Sequence, residues 1–304
     1  KMLYSDKLTS WLKEKKIYLK YSTYTNYCNV IHNHILPKLG DYQIEELNND
    51  ILQEFILQKL ENGRKDGKGG ISFKYAKDII QVLKFTLPFK VDIQLPYHPS
   101  KAVEIFEKEH QITLINHLQS EINCKNFGIL LCIHTGIRIG EALSLLNEDI
   151  NLEEEYFILR DTKNGKDRIV PFSTSLAEVL KDYVVHRNRL PVKISDTTPF
   201  FITLKGRACD RDSIYRRFCK ILIQANIPKD RIRLHDLRHT FAVHSLAKMA
   251  EEGMDLYCSL PILSTYLGHQ SLRATNNYVR LTSEMYPELI RKIDIIGFDI
   301  FPKM

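Results

Sequence analysis

Two residue types that can do chemistry together stand three apart in Leu234-His235-Asp236-Leu237-Arg238-His239-Thr240. The apolar series Phe241, Ala242, Val243, Leu246 and Ala247 follows. At a helix start this spacing puts His235 and Arg238 on one face, where both can converge on one anion. A guanidinium fork suits a phosphate and imidazole titrates near neutral pH. The pair therefore reads as a phosphate clamp with a proton-transfer group. Taken alone, it describes equally well a helix N-terminus carrying a surface ion pair. Its weight comes from the residues on either side.

Upstream, the apolar run 127–134 leads into Thr135-Gly136-Ile137-Arg138-Ile139-Gly140-Glu141. An arginine ending a buried helix needs a partner. Glu141, one turn on, can hold part of the charge of Arg138 and leave its other donors for a ligand, although a plain Arg–Glu pair fits too. Lys163 sits in Lys163-Asn164-Gly165-Lys166 between two apolar runs, a hairpin signal. From the tip it could touch a phosphate, donate a proton or merely keep the turn soluble. Downstream, Leu267-Gly268-His269 ends a short helix, and Tyr278 follows nine residues later. Singly, neither His269 nor Tyr278 indicates a function.

In chain order, Arg138, Lys163, His235-x-x-Arg238, Leu267-Gly268-His269 and Tyr278 resemble the tyrosine recombinase (phage integrase) family, over nearly the whole chain. The segment 22–40 looks like that family's core-binding domain and 103–282 like its catalytic domain. One departure is Leu256–Leu263, which looks longer than the usual link before Leu-Gly-His.

The resemblance implies a tyrosine nucleophile, Tyr278, that breaks a DNA phosphodiester and stores its energy as a 3′-phosphotyrosine. A phenolate, with a pKa near 10, can attack and later leave. Arg138 and Arg238 offset charge on the non-bridging oxygens. His235 accepts the tyrosine proton, His269 hydrogen-bonds the phosphate and Lys163 protonates the departing 5′-hydroxyl. Glu141 supports Arg138. The set has no carboxylate cluster suited to two magnesium ions, so neither metal nor cofactor is expected.

These residues need elements to position them. The chain has 304 residues, 44% hydrophobic and 26% charged, enough for two domains with cores. Helical spacing recurs over residues 3–19. A second helix is expected from a Ser22-Thr23 cap through Ile31 and Ile35, ended by Pro37 and Gly40, a third after Asn48-Asn49-Asp50, and a fourth from Ser72 to Pro88. Further helices are expected at 108 onward, 175–188, 210–225, 240–252, 261–267, 272–278 and 284–293. The β signal is confined to 149–151, 156–161 and 168–171.

The fold class is therefore mainly α. An N-terminal helical core-binding (SAM-like) bundle (1–92) precedes a linker (93–102). An α-rich catalytic domain with a small antiparallel sheet follows (103–282), resembling the DNA breaking-rejoining fold, and a C-terminal tail (283–304) serves protomer contact. The six cysteines show no C-x-x-C spacing, which argues against a disulfide framework or zinc knuckle. With no apolar run of bilayer length and no signal peptide, a cytoplasmic, nucleoid-associated protein without membrane contact is expected. A chain beginning on Lys1 leaves room for a preceding segment.

The net charge is +6, but residues 201–250 carry eleven Lys/Arg against four Asp/Glu. Such clustering fits double-stranded DNA as partner, or a solvated basic surface. Candidate DNA contacts are Lys20, Ser22 and Thr23 at one helix start and Lys74 and Lys77 at another. Arg211, Ser213 and Arg216 lie off the apolar stripe of 210–225. The resemblance implies a homodimer on one site and a homotetramer in the synaptic complex, joined through the apolar tail, which could instead dock on its own domain. A type IB topoisomerase-like nick-sealer and a non-catalytic DNA-binding protein are the alternatives to a recombinase of a mobile element.

Overall fold

Short-range helix signals build the first unit. In the computed structural model, residues 2–99, 102–160, 167–228, 232–269 and 271–288 are described. The chain divides into units at 1–101 and 102–304. Unit one holds α1 (Tyr4–Tyr18), α2 (Tyr21–Val30), α3 (Leu36–Leu39), α4 (Asn49–Asn62) and α5 (Phe73–Thr86). Asn48 Oδ1 accepts from the Ile51 amide and Ser72 Oγ from the Tyr75 amide, so two starts lie where their caps predict. Leu8, Trp11, Ile31, Ile35, Leu52, Phe55, Ile79 and Leu83 share one core. Each such burial is worth about 1.5–3 kcal/mol. Thr86 Oγ1 donates to the Val82 carbonyl, so Tyr4 donates its hydroxyl to Thr86 at 2.6 Å and ties the first helix to the last.

One local expectation fails here. Lys20, not Ser22, precedes the helix, which puts Ser22 and Thr23 inside its first turn. The other end falls at Gly40 as expected, with Pro37 carried inside the last turn. Residues Ile31–Ile35 widen into a π turn in which the Leu36 amide reaches the Ile31 carbonyl. This register change absorbs the donor that proline lacks, and the helix runs on to Leu39.

Unit two is built on α7 (Cys124–Thr135), which is buried nearly all round. It packs against α6 (Lys108–Gln119), α8 (Ile139–Ser144), α9 (Thr174–Asn188), α10 (Arg211–Gln224) and α11 (Asp236–Glu251). The sheet is antiparallel in the order β1 (Ile150–Asn151), β2 (Tyr156–Leu159), β3 (Arg168–Pro171), with Leu159 opposite Arg168. Lys163 and the turn expected around it lie outside the described residues. A second cluster joins α11 to α12 (Leu256–Leu267) and α13 (Leu272–Met285) through Val243, Leu246, Leu263, Leu267 and Tyr278.

Three of these helices differ in extent from the periodicity. α11 starts at Asp236 because buried Asp236 accepts from the Arg233 amide and the His235 carbonyl takes up the Arg238 amide. α12 starts at Leu256, since Asp255 accepts from the Tyr257 and Cys258 amides. The seemingly long link is thus helix, with Pro261 inside it. α13 continues past Tyr278 to Met285, and the second half of the expected helix 284–293 lies outside the described residues. All six cysteines are free. Among the described residues no helix is long and apolar enough to cross a membrane.

Candidate active site

Gly136 makes the turn that delivers Arg138. It closes α7 at φ 63°, and a Cβ there would lie 2.4 Å from Phe241 Cδ1. Only glycine meets both demands. The chain then enters α8 with Arg138 just before its first turn. Glu141 Oε2 accepts from the Arg138 amide at 2.9 Å and Oε1 from Arg138 Nη1 at 2.8 Å.

The same carboxylate is gripped from the other side by Arg168 on β3. Arg168 Nη2 donates to Oε2 at 2.9 Å and Nη1 to Oε1 at 3.2 Å, while Nε donates to the Tyr266 carbonyl at 3.1 Å. Burial opposes the charge of Glu141, but Arg168 and Arg138 outweigh it and hold the carboxyl below its ordinary range. Glu141 therefore joins the Arg138 turn, the hairpin strand and the end of α12. Gly268 ends α12 at φ 67°, and a Cβ there would lie 2.7 Å from Arg168 Nη1. The close pass of that guanidinium is a second reason for glycine.

Arg238 is 2% exposed. Its Nη1 donates to the Gly136 carbonyl at 2.9 Å and Nη2 to the Leu267 carbonyl at 2.7 Å. Among the described residues no carboxylate pairs with it. Burial and neighbouring Arg138 push its pKa down to about 10, so at neutral pH it remains a buried cation facing another cation. His235 keeps one edge open to solvent. Burial of the rest of the ring, with His239, Arg238 and Arg138, pushes its pKa to about 4. His269 falls to about 4 through burial and the charges of Arg238, Arg138 and Arg168. Both rings are neutral at pH 7 and cost no further cationic repulsion.

Tyr278 is 4% exposed on α13, and burial raises its pKa against the pull of Arg238 and Arg138. His269 stacks on its ring at 6.0 Å between centroids and pairs through Nδ1 with Thr275 Oγ1 at 2.8 Å. The imidazole that meets the Tyr278 hydroxyl is His239, through Nδ1 at 3.0 Å. Arg138, His235, Arg238, His269 and Tyr278 thus gather round one point, while Lys163 lies outside the described residues.

Arg168 and His239 were absent from the sequence candidates, although both left a signal. Alternation along β3 puts Arg168 on the face of buried Val170, where a charge requires an acid. His239 lies one helical turn after His235. Of the basic candidates, Lys20, Ser22, Thr23, Lys74, Lys77, Arg211 and Arg216 are exposed. Ser213 is not. It is 9% exposed, donates its hydroxyl to the Asp210 carbonyl and gives its amide to the Asp210 carboxylate, which holds it against the helix start.

A mainly α unit with this small sheet, closing two arginines and two histidines round a tyrosine, defines the architecture of DNA strand-breaking and rejoining enzymes. The phage integrase family profile matches residues 105–285, and the phage integrase N-terminal SAM-like domain matches residues 4–60. A putative integrase/recombinase, y4rB, of Sinorhizobium fredii is 30% identical over 217 residues, covering 66% of this chain and 68% of that protein. Tyrosine recombinase XerA of Pyrococcus horikoshii is 27% identical over 240 residues, covering 75% of this chain and 77% of its own.

Among solved structures, the Tn1549 transposon integrase in complex with transposon right end DNA superposes with a TM-score of 0.71 at 17% identity, over 94% of this chain and 100% of that one. XerH recombinase bound to difH substrate gives 0.64 at 20%, over 90% and 91%. The chain belongs to the phage integrase family. Its activity is that of a tyrosine-type site-specific DNA recombinase.

Proposed function

We propose that the protein binds a specific site in duplex DNA, cleaves one strand through Tyr278 and rejoins it to another, integrating or excising a mobile element. The observation that carries this is Arg238. A guanidinium 2% exposed, without a carboxylate partner among the described residues and facing Arg138, leaves a site short of negative charge beside a tyrosine hydroxyl. A phosphodiester supplies that charge, and more of it develops in the transition state. The Tyr278 oxygen attacks phosphorus, the bond to the 5′ oxygen breaks, and Lys163 gives the leaving oxygen its proton. Neutral His235 and His269 hydrogen-bond the phosphate. Glu141 orients Arg138.

Exposed Lys20, Lys74, Lys77, Arg211 and Arg216, with Ser22 and Thr23 in the first turn of α2, contact the DNA backbone or base edges. Ser213 is withdrawn from this set. The protein assembles as a homodimer on one site and a homotetramer in the synapse, with residues 283–304 linking protomers, and it works at the nucleoid.

The test is covalent trapping. Nicked duplexes enriched from a random library by binding are incubated with wild type and Tyr278→Phe and run on a denaturing gel. A protein–DNA band that Tyr278→Phe abolishes and that maps to one sequence supports the reading. A band at every sequence supports nick-sealing instead, and tight binding without a band supports a non-catalytic protein.

A further inference from the structure

We infer that His239 is the group that takes the proton from Tyr278 as it attacks and returns it on rejoining, a task the resemblance gives to His235. This rests on the strand-cleavage reading above and goes beyond it.

Among the described residues the Tyr278 hydroxyl lies 3.0 Å from His239 Nδ1, with the Arg238 cation near enough to lower its pKa. A guanidinium donates and never accepts. The proton of the hydroxyl therefore has His239 as its acceptor, in the tautomer that leaves the lone pair on Nδ1 and the hydrogen on Nε2. This is already the arrangement of a phenol beside its base, at a distance that allows direct transfer. His235 touches His239 edge to face, with centroids 4.8 Å apart, and so buttresses the ring that meets the tyrosine.

The step balances without another reactant. The Tyr278 O–H bond breaks and its proton goes to Nδ1, while the phenolic oxygen bonds phosphorus and the P–O5′ bond opens. Burial does most to weaken the new imidazolium, Asp236 favours it, and Arg233 and Arg238 oppose it. That balance leaves a cation able to hand the proton back to the phenol when the second strand attacks. His235 makes no hydrogen bond with the Tyr278 hydroxyl among the described residues, and burial with the charges of His239, Arg238 and Arg138 lowers its pKa to about 4.

The experiment is single-turnover cleavage of the trapped duplex by wild type, Tyr278→Phe, His239→Gln and His239→Ala. Glutamine can receive the phenol's hydrogen bond but cannot keep its proton. Both His239 variants are expected to bind the site as wild type does and to cleave about 10²–10⁴-fold more slowly, the usual worth of a general base. Imidazole in the buffer is expected to restore part of the His239→Ala rate, and the deficit should narrow as pH rises toward ionisation of the phenol itself. Cleavage by either variant within about threefold of wild type overturns the assignment. So does a loss that neither imidazole nor raised pH relieves, since that describes a structural histidine. If wild type itself forms no adduct, the strand-cleavage reading has failed instead.

Discussion

Removing Arg168 tests whether one carboxylate organises the site. Arg168→Ala deletes two charge-assisted bonds to Glu141, at 2.9 and 3.2 Å, and one to the Tyr266 carbonyl at 3.1 Å, from side chains 12% and 11% exposed. Breaking a buried ion pair costs about 3–5 kcal/mol when the survivor is left alone. Glu141 keeps Arg138 Nη1 and the Arg138 amide, so the cost should fall to about 2–3 kcal/mol. The larger effect is on chemistry. Freed on one side, Glu141 no longer fixes the Arg138 fork, and the end of α12 before His269 loses its tie to β3. A misplacement of about 1 Å in such a site costs on the order of 10²-fold in rate.

Urea denaturation would read the first effect and single-turnover trapping of the Tyr278 adduct the second. Arg168→Lys should fall between, keeping charge without the fork. Gly268→Ala should reproduce the rate defect with the charges intact, because its Cβ would lie 2.7 Å from Arg168 Nη1. In an Arg168→Ala background that collision disappears, leaving about 1–2 kcal/mol of left-handed strain. Arg168→Ala with wild-type stability and a wild-type cleavage rate would refute the reasoning.

Three further outcomes are expected. Gly136→Ala combines left-handed strain with a Cβ 2.4 Å from Phe241 and should cost about 2–5 kcal/mol in urea melts; an unmoved midpoint would contradict this. His235 and His269 charge at about 4 when folded and at 6.5 in the reference state, so the unfolded chain binds more protons between those values. Stability should therefore hold above pH 6.5 and fall as pH drops toward 4, and a melting temperature flat from pH 7 to 4.5 would sink the assignment. Arg211→Ala and Arg216→Ala should each lower the salt slope of DNA binding by about 1, with Ser213→Ala leaving it unchanged. A Ser213 variant with a smaller slope would reinstate that residue as a DNA contact.

Much of the local structure was legible because its causes lie within a turn or two. Asn48, Ser72 and Asp210 announce helix starts by offering an acceptor to orphan amides, and apolar runs on either side of Asn164-Gly165 mark β2 and β3. The order of Arg138, His235, Arg238, His269 and Tyr278 was also readable, since residue type and spacing alone carry the resemblance. Tertiary structure decided the partners. Arg168 reaches Glu141 across 27 positions, Arg238 reaches the Gly136 carbonyl across 102 and His239 meets Tyr278 across 39. Each pairing answers the cost of burying a charge or polar group, and that cost is set by which elements pack together. The same cause moved Ser213 inside. It also extended α11 and α12 backwards through Asp236 and Asp255, whose side chains satisfied amides that periodicity in apolar residues cannot see.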